Sequence, residues 1–124
     1  MASRPMLSPF PVIIDGDMTT TLTSSVTVIQ NTSHISYDVN WSGSSPVGTI
    51  FVQVSNTYAQ NAAGQVSEAG DWISIPLSVT PAVSGDTGTG FIDVQGISSY
   101  AIRMQYVPTS GSGTLNVTIT GKVD

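Results

Sequence analysis

Hydrophobic and polar residues alternate with a period of two through most of the chain, the pattern of strands that bury one face. The cleanest run covers residues 34–41, where Ile35, Tyr37, Val39 and Trp41 share one side and His34, Ser36, Asp38 and Asn40 the other. The same period recurs over residues 49–55 (Ile50, Val52, Val54), 100–107 (Tyr100, Ile102, Met104, Tyr106) and 114–120 (Leu115, Val117, Ile119). Shorter strands are predicted over residues 12–15, 19–23, 25–30, 72–77 and 90–94. Between them lie turn-forming sequences: Asp15-Gly16-Asp17, residues 42–46 and residues 108–113, the last read as a hairpin loop. Residues 56–70 carry no clear period, and Gly64 and Gly70 favour a loop there. Short strands separated by Gly, Pro, Ser and Asn predict an all-β fold, an antiparallel, jelly-roll-like β-sandwich of about eight strands.

Residues 1–11 break this pattern. Pro5, Pro9 and Pro11 alternate with Met6, Leu7 and Phe10. Proline fixes φ and removes a ladder donor, so an extended arm is expected, followed by one domain over residues 12–124. An apolar arm can fold back on its own domain or lie on a neighbouring subunit.

Composition narrows the functional classes. Only 9% of the 124 residues are charged, while 18 Ser and 15 Thr supply hydroxyls. Three Lys/Arg against eight Asp/Glu give a net charge of -5. Arg4, Arg103 and Lys122 stand far apart in sequence, so a nucleic-acid or anionic membrane partner is not expected. No apolar run is long enough to cross a bilayer as a helix, and no secretory signal is evident. The absence of Cys excludes disulfides and thiolate metal sites. Synthesis in a cytoplasm fits these features. The N-x-S/T triplets at Asn31, Asn40 and Asn116 are expected by chance in so hydroxyl-rich a chain.

Candidate chemistry is sparse. His34 is the sole histidine, on the polar side of its strand, and no Ser lies in a nucleophile elbow. Asp15 and Asp17 flank Gly16 and could give a calcium ion two oxygens, although turn chemistry also accounts for them. Asp86 reads as a turn residue. No enzyme activity and no cofactor are expected. Trp72, beside Asp71 and within reach of Tyr58, either offers a stacking platform for a sugar, with Asn56 nearby, or lids the end of the sandwich.

Four segments taken in order carry a resemblance. They are Gly48-Thr49-Ile50-Phe51-Val52-Gln53-Val54-Ser55-Asn56, Asp71-Trp72-Ile73-Ser74-Ile75-Pro76, Tyr100-Ala101-Ile102-Arg103-Met104-Gln105-Tyr106, and the stretch from Ser110 to Lys122. Together they resemble small β-sandwich structural proteins of tailed bacteriophage virions, over roughly residues 35–123. The resemblance implies a capsid decoration or cement protein that binds the major capsid protein or other virion proteins and stabilises the head shell. It implies a homo-oligomer, with a trimer favoured. A neck, tail or baseplate component is the alternative virion reading. On the virion reading, Pro5, Met6, Leu7 and Phe10 of the arm are the expected contacts. On the reading as a carbohydrate-binding or receptor-binding domain, Tyr58, Asp71 and Trp72 are. A surface poor in charge suits the virion reading, since little must be desolvated when it packs against neighbours.

Overall fold

The two longest alternating regions are each one continuous strand. The computed structural model describes residues 6–29, 34–63, 65–75, 82–95 and 100–122. Numbered in chain order, β4 spans His34–Ser55 and β10 spans Ala101–Lys122. They pair antiparallel along their whole length, from Ala101 opposite Ser55 to Lys122 opposite His34. A straight strand of this length would run roughly 70 Å, far beyond a small domain. The pair therefore bends, and the bend makes the fold.

Register and burial locate the bend. The ladder shifts between Pro108 and Ser110 and again between Ser110 and Ser112. On β4 the members of the hydrophobic cluster are odd-numbered before it (Ile35, Tyr37, Val39, Trp41) and even-numbered after it (Ile50, Val52). On β10 they are even-numbered before it (Ile102, Met104, Tyr106) and odd-numbered after it (Leu115, Val117, Ile119). All of these belong to one hydrophobic cluster, so the two halves of the long pair face each other across a common core. The result is an antiparallel β-sandwich whose two sheets share the same two central strands.

The remaining strands flank these halves. In the first sheet, β1 (Met6–Asp17) pairs with the end of β10 and β9 (Thr87–Gln95) with the start of β4. In the second, β2 (Leu22–Thr23) and β3 (Thr27–Val28) lie against β10, while β7 (Ile73–Ile75) and β8 (Ala82–Val83) lie against β4. A separate two-stranded ribbon joins β5 (Ala59–Gln60) to β6 (Val66–Glu68). No helix occurs among the described residues.

The corner needs its glycines. Gly43 lies opposite Gly113, and a Cβ on Gly43 would fall on the Gly113 Cα and the Ser112 carbonyl. Gly111 has φ +78 and faces the Ser45 carbonyl too closely for any side chain. Ser45 itself is left-handed, at φ 49. Asp86 holds it: Oδ1 accepts from the Ser45 amide at 2.9 Å and from its hydroxyl at 3.1 Å. The Asp86 carbonyl accepts from the Gly43 amide at 2.7 Å. The turn before β9 thus clasps the bend.

Three expectations change. Residues 108–113 are not a hairpin loop: the chain keeps its direction along β4 and bulges through a corner. Residues 42–46 do not separate two strands for the same reason. Asp15-Gly16-Asp17 lies inside β1, with Asp15 at φ 50 beside a register shift, and the chain turns at residues 17–20 instead.

Residues 6–11 form the first half of β1, which crosses the 11/12 boundary without a break. Met6 pairs with Lys122, Leu7 with Gly121 and Phe10 with Ile119, so this part lies on its own domain rather than extending away from it. Register shifts between Leu7 and Phe10 and between Pro11 and Ile13 accommodate Pro9 and Pro11 at a sheet edge. Pro5 and the Asn31 triplet lie outside the described residues.

Candidate functional site

The outer face of the second sheet holds the aromatic group singled out from sequence. At the end of β4 the buried Ser55 Oγ accepts from the amides of Thr57 at 3.2 Å and Tyr58 at 3.1 Å, turning the chain out of the sheet. Thr57 Oγ1 then accepts from the Asp71 amide at 2.7 Å, which brings the far end of the 56–71 excursion back beside β4. Trp72 follows, immediately before β7. Its ring centroid lies 5.9 Å from that of Tyr58, so the structure joins the pair that sequence placed near one another.

The pair is not an open platform. Tyr58 is buried, and its hydroxyl accepts from Gln60 Nε2 at 2.8 Å. Trp72 is half-buried, and its Nε1 donates to the Ala69 carbonyl at 2.9 Å. The Arg103 guanidinium carbon stands 4.3 Å from the Trp72 ring centroid, a cation–π contact. Arg103 Nε donates to Gln53 Oε1 at 2.8 Å, and burial lowers the Arg103 pKa from its ordinary value. Register explains the group: Gln53 of β4 lies between Ser74 of β7 and Arg103 of β10. One face of the indole carries a guanidinium. Asp71 is exposed, and Asn56 Oδ1 accepts from the Tyr100 amide at 2.9 Å. These residues knit the 56–71 excursion to the outer face of the second sheet.

Asp15 and Asp17 close β1, and the turn after it begins at Asp17. Asp17 Oδ1 accepts from the Thr19 amide at 3.0 Å and from its hydroxyl at 2.7 Å, and these bonds lower the Asp17 pKa. Asn116 Oδ1 accepts from the Asp15 amide at 2.9 Å. Among the described residues no three His, Cys, Asp or Glu side chains converge as a metal site.

The outer face of the first sheet differs. Here β9, β4 and β10 align side chains in rows: Phe91, Asp38 and Thr118 in one, Asp93, Ser36 and Thr120 in the next. Ser36 Oγ and Thr120 Oγ1 are hydrogen-bonded at 2.8 Å. His34, Ser36, Phe91, Asp93 and Thr120 line a cleft of about 360 Å³. Phe91 is 62% exposed. Sequence reasoning passed over Phe91. Its parity was the available signal, because Ile92 and Val94 claim the core side and leave Phe91 and Asp93 outside.

On β1, Phe10 and Ile14 are 57% and 68% exposed. Of the expected arm contacts, Phe10 is therefore at the surface of an edge strand, and Met6 and Leu7 are placed by their backbone pairing.

No family model matches the chain, and no curated protein matches it in sequence. Solved structures do. The SPBc2 prophage-derived protein YomS aligns over 97% of this chain and 96% of its own at 16% identity, with a TM-score of 0.49. A chain of infectious bursal disease virus aligns over 98% of this chain and 32% of its own at 9% identity, TM-score 0.52. The K1 cleaved adhesin domain of Lys-gingipain from Porphyromonas gingivalis aligns over 84% of this chain and 63% of its own at 10% identity, TM-score 0.41. At such identities the likeness concerns the fold: the chain is an all-β, antiparallel sandwich of a kind that recurs among unrelated proteins.

Proposed function

We propose that the protein is a non-enzymatic structural component of a bacteriophage virion, a decoration or cement protein that docks on the head shell. The observation that carries this reading is the edge strand β1. It presents Phe10 and Ile14 to solvent on a strand whose one ladder partner among the described residues is β10, on a domain whose surface has few charges to desolvate. An isolated protein is poorly served by such an edge, whereas a subunit among neighbours covers it. The order of sequence segments shared with phage β-sandwich proteins supports the same reading. The fold is compatible with it, since a virus chain also uses it. The partner is the major capsid protein or another virion protein, and copies grouped as a trimer would match local three-fold positions of a shell.

Two measurements test this. Quantitative mass spectrometry of purified particles should find the chain at hundreds of copies relative to the major capsid protein. A handful of copies moves it to the neck, tail or baseplate, and none removes it from the virion. Purified protein should also bind undecorated shells, and a Phe10→Ser/Ile14→Ser variant that keeps its β-sheet spectrum should lose that binding. Unchanged binding of the variant rules out β1 as the docking edge.

A further inference from the structure

We infer that the Arg103 guanidinium, held on the outer face of the second sheet, is a docking point for a carboxylate on the surface of a neighbouring virion protein. The inference rests on the virion reading above and adds a second contact to the β1 edge. Arg103 is half-buried and held from two sides. Its Nε donates to Gln53 Oε1 at 2.8 Å, and Gln53 Nε2 donates in turn to Ser74 Oγ at 3.4 Å. The Trp72 ring lies against the guanidinium, and Tyr58 stands beside that ring. The plane of the fork is thereby set before a partner arrives. With Nε taken by Gln53, the paired Nη1 and Nη2 remain, and no described residue is hydrogen-bonded to them. Burial lowers the Arg103 pKa, and no neighbouring carboxylate offsets that fall. A partly desolvated cation without a counter-charge costs free energy, and an anion brought by a partner removes that cost.

The free end of the fork selects the anion. Nη1 and Nη2 offer two parallel N–H donors, spaced for the two oxygens of a carboxylate. A doubly charged phosphate calls for more than one cation, and His34 and Lys122 are paired at the other end of the long strands, in the first sheet. The surroundings favour a protein surface over a small acid. Arg103 and Gln105 of β10 lie beside Gln53 and Phe51 of β4 on one sheet face, and Phe51 is 39% exposed. A small ligand needs a concave site, whereas a sheet face that joins aromatic rings, an arginine and two amides has the make-up of a protein interface. The geometry also suits the work of a cement protein. β1 belongs to the first sheet and Arg103 to the second, so one copy has two separate contacts with which to bridge two subunits of a shell.

The test uses undecorated shells and phenylglyoxal, which modifies arginine side chains. Arg103 should react more slowly in shell-bound protein than in free protein, read by mass spectrometry of the peptide that carries it. Arg103→Gln with an unchanged β-sheet spectrum should bind shells about tenfold more weakly or worse. Arg103→Lys should recover only part of the loss, because an ammonium cannot fork. Amidation of the shell's carboxylates with ethanolamine should weaken the parent chain and leave the weaker binding of Arg103→Gln little changed. If the parent chain does not bind shells at all, the virion reading and this inference fall together. If it binds, but Arg103 reacts equally fast free and bound or Arg103→Gln binds like the parent, this inference falls alone. Protection of Arg103 that grows with protein concentration in the absence of shells would make a second copy the occupant and overturn it as well.

Discussion

Trp72 and Phe91 are both surface aromatics on the outer faces of one sandwich, yet their surroundings are opposite. Trp72 has its ring nitrogen bonded to Ala69, a guanidinium over its face and Tyr58 beside it. It is a fastener, and its contacts are already made. Phe91 stands over a polar cleft with most of its ring in solvent. Residue type alone favours Trp72 as the binding residue. The environments differ in the other direction: the Phe91 ring is mostly in solvent, whereas a guanidinium covers one Trp72 face.

Substitutions can break this contrast at graded cost. The largest effect lies at the corner, which creates two faces from one pair of strands. Gly43→Val would drive its side chain into the backbone of β10 and should destabilise the domain by about 4 kcal/mol or abolish folding, read from urea denaturation followed by circular dichroism. Trp72→Ala comes next. Losing a half-buried indole and its cation–π partner should cost about 2–3 kcal/mol in the same assay.

Between the faces, the buried Tyr37 and Tyr106 hydroxyls have no hydrogen-bond partner among the described residues, and burial raises both pKa values above the ordinary 10.0. Tyr37→Phe therefore removes a desolvated hydroxyl without breaking a bond. At neutral pH it should leave stability unchanged or raise it by up to about 1 kcal/mol. The raised pKa means that the neutral phenol's contribution is complete below the ordinary value and is lost as pH climbs toward the shifted one. Tyr37→Phe, and more so its combination with Tyr106→Phe, should thus flatten the fall in melting temperature above about pH 10.

Phe91→Ala should change stability by no more than about 0.5 kcal/mol, since the ring buries little. If it proves as costly as Trp72→Ala, Phe91 is a packing residue and the contrast fails. The smallest effect is expected at Asp17. Its pKa lies below the ordinary 3.8 because the Thr19 amide and hydroxyl donate to it. The stabilisation is present above that value and disappears as pH falls through the lowered one. Asp17→Asn should therefore flatten the acid limb of a melting-temperature profile below about pH 4, with little change near neutrality.

Much of the core was legible in the sequence. Every inward residue of the runs 34–41 and 114–120 is buried, and of the runs 49–55 and 100–107 all but the half-buried Val54 and Tyr100, because a period of two has one meaning once a face is apolar. Continuity was not legible. Gly, Ser and Pro at 42–46 and 108–113 serve a loop and a bulged corner equally well, and only the pairing of Gly43 with Gly113 decides between them. The prolines of β1 likewise suit a free arm and an edge strand. The site shows the same limit. The contact between Trp72 and Arg103 runs through β4, a strand distant in sequence from both, so no local pattern announces it. Phe91 could have been placed outside by parity, but the row that meets it is assembled from three strands.

The shared central pair also constrains how the chain comes to be folded during synthesis. β10 is the partner of β1, β2, β3 and β4, and it is made after all of them. Among the described residues, the ladders open to a nascent chain that has not yet reached Ala101 are those of β4 with β7, β8 and β9 and the small ribbon. Both sheets then wait, with their apolar faces uncovered, for a strand whose contacts with β1 close loops of about a hundred residues. Few charges guard the chain during that interval, so its yield should depend on how quickly β10 leaves the ribosome and finds its place.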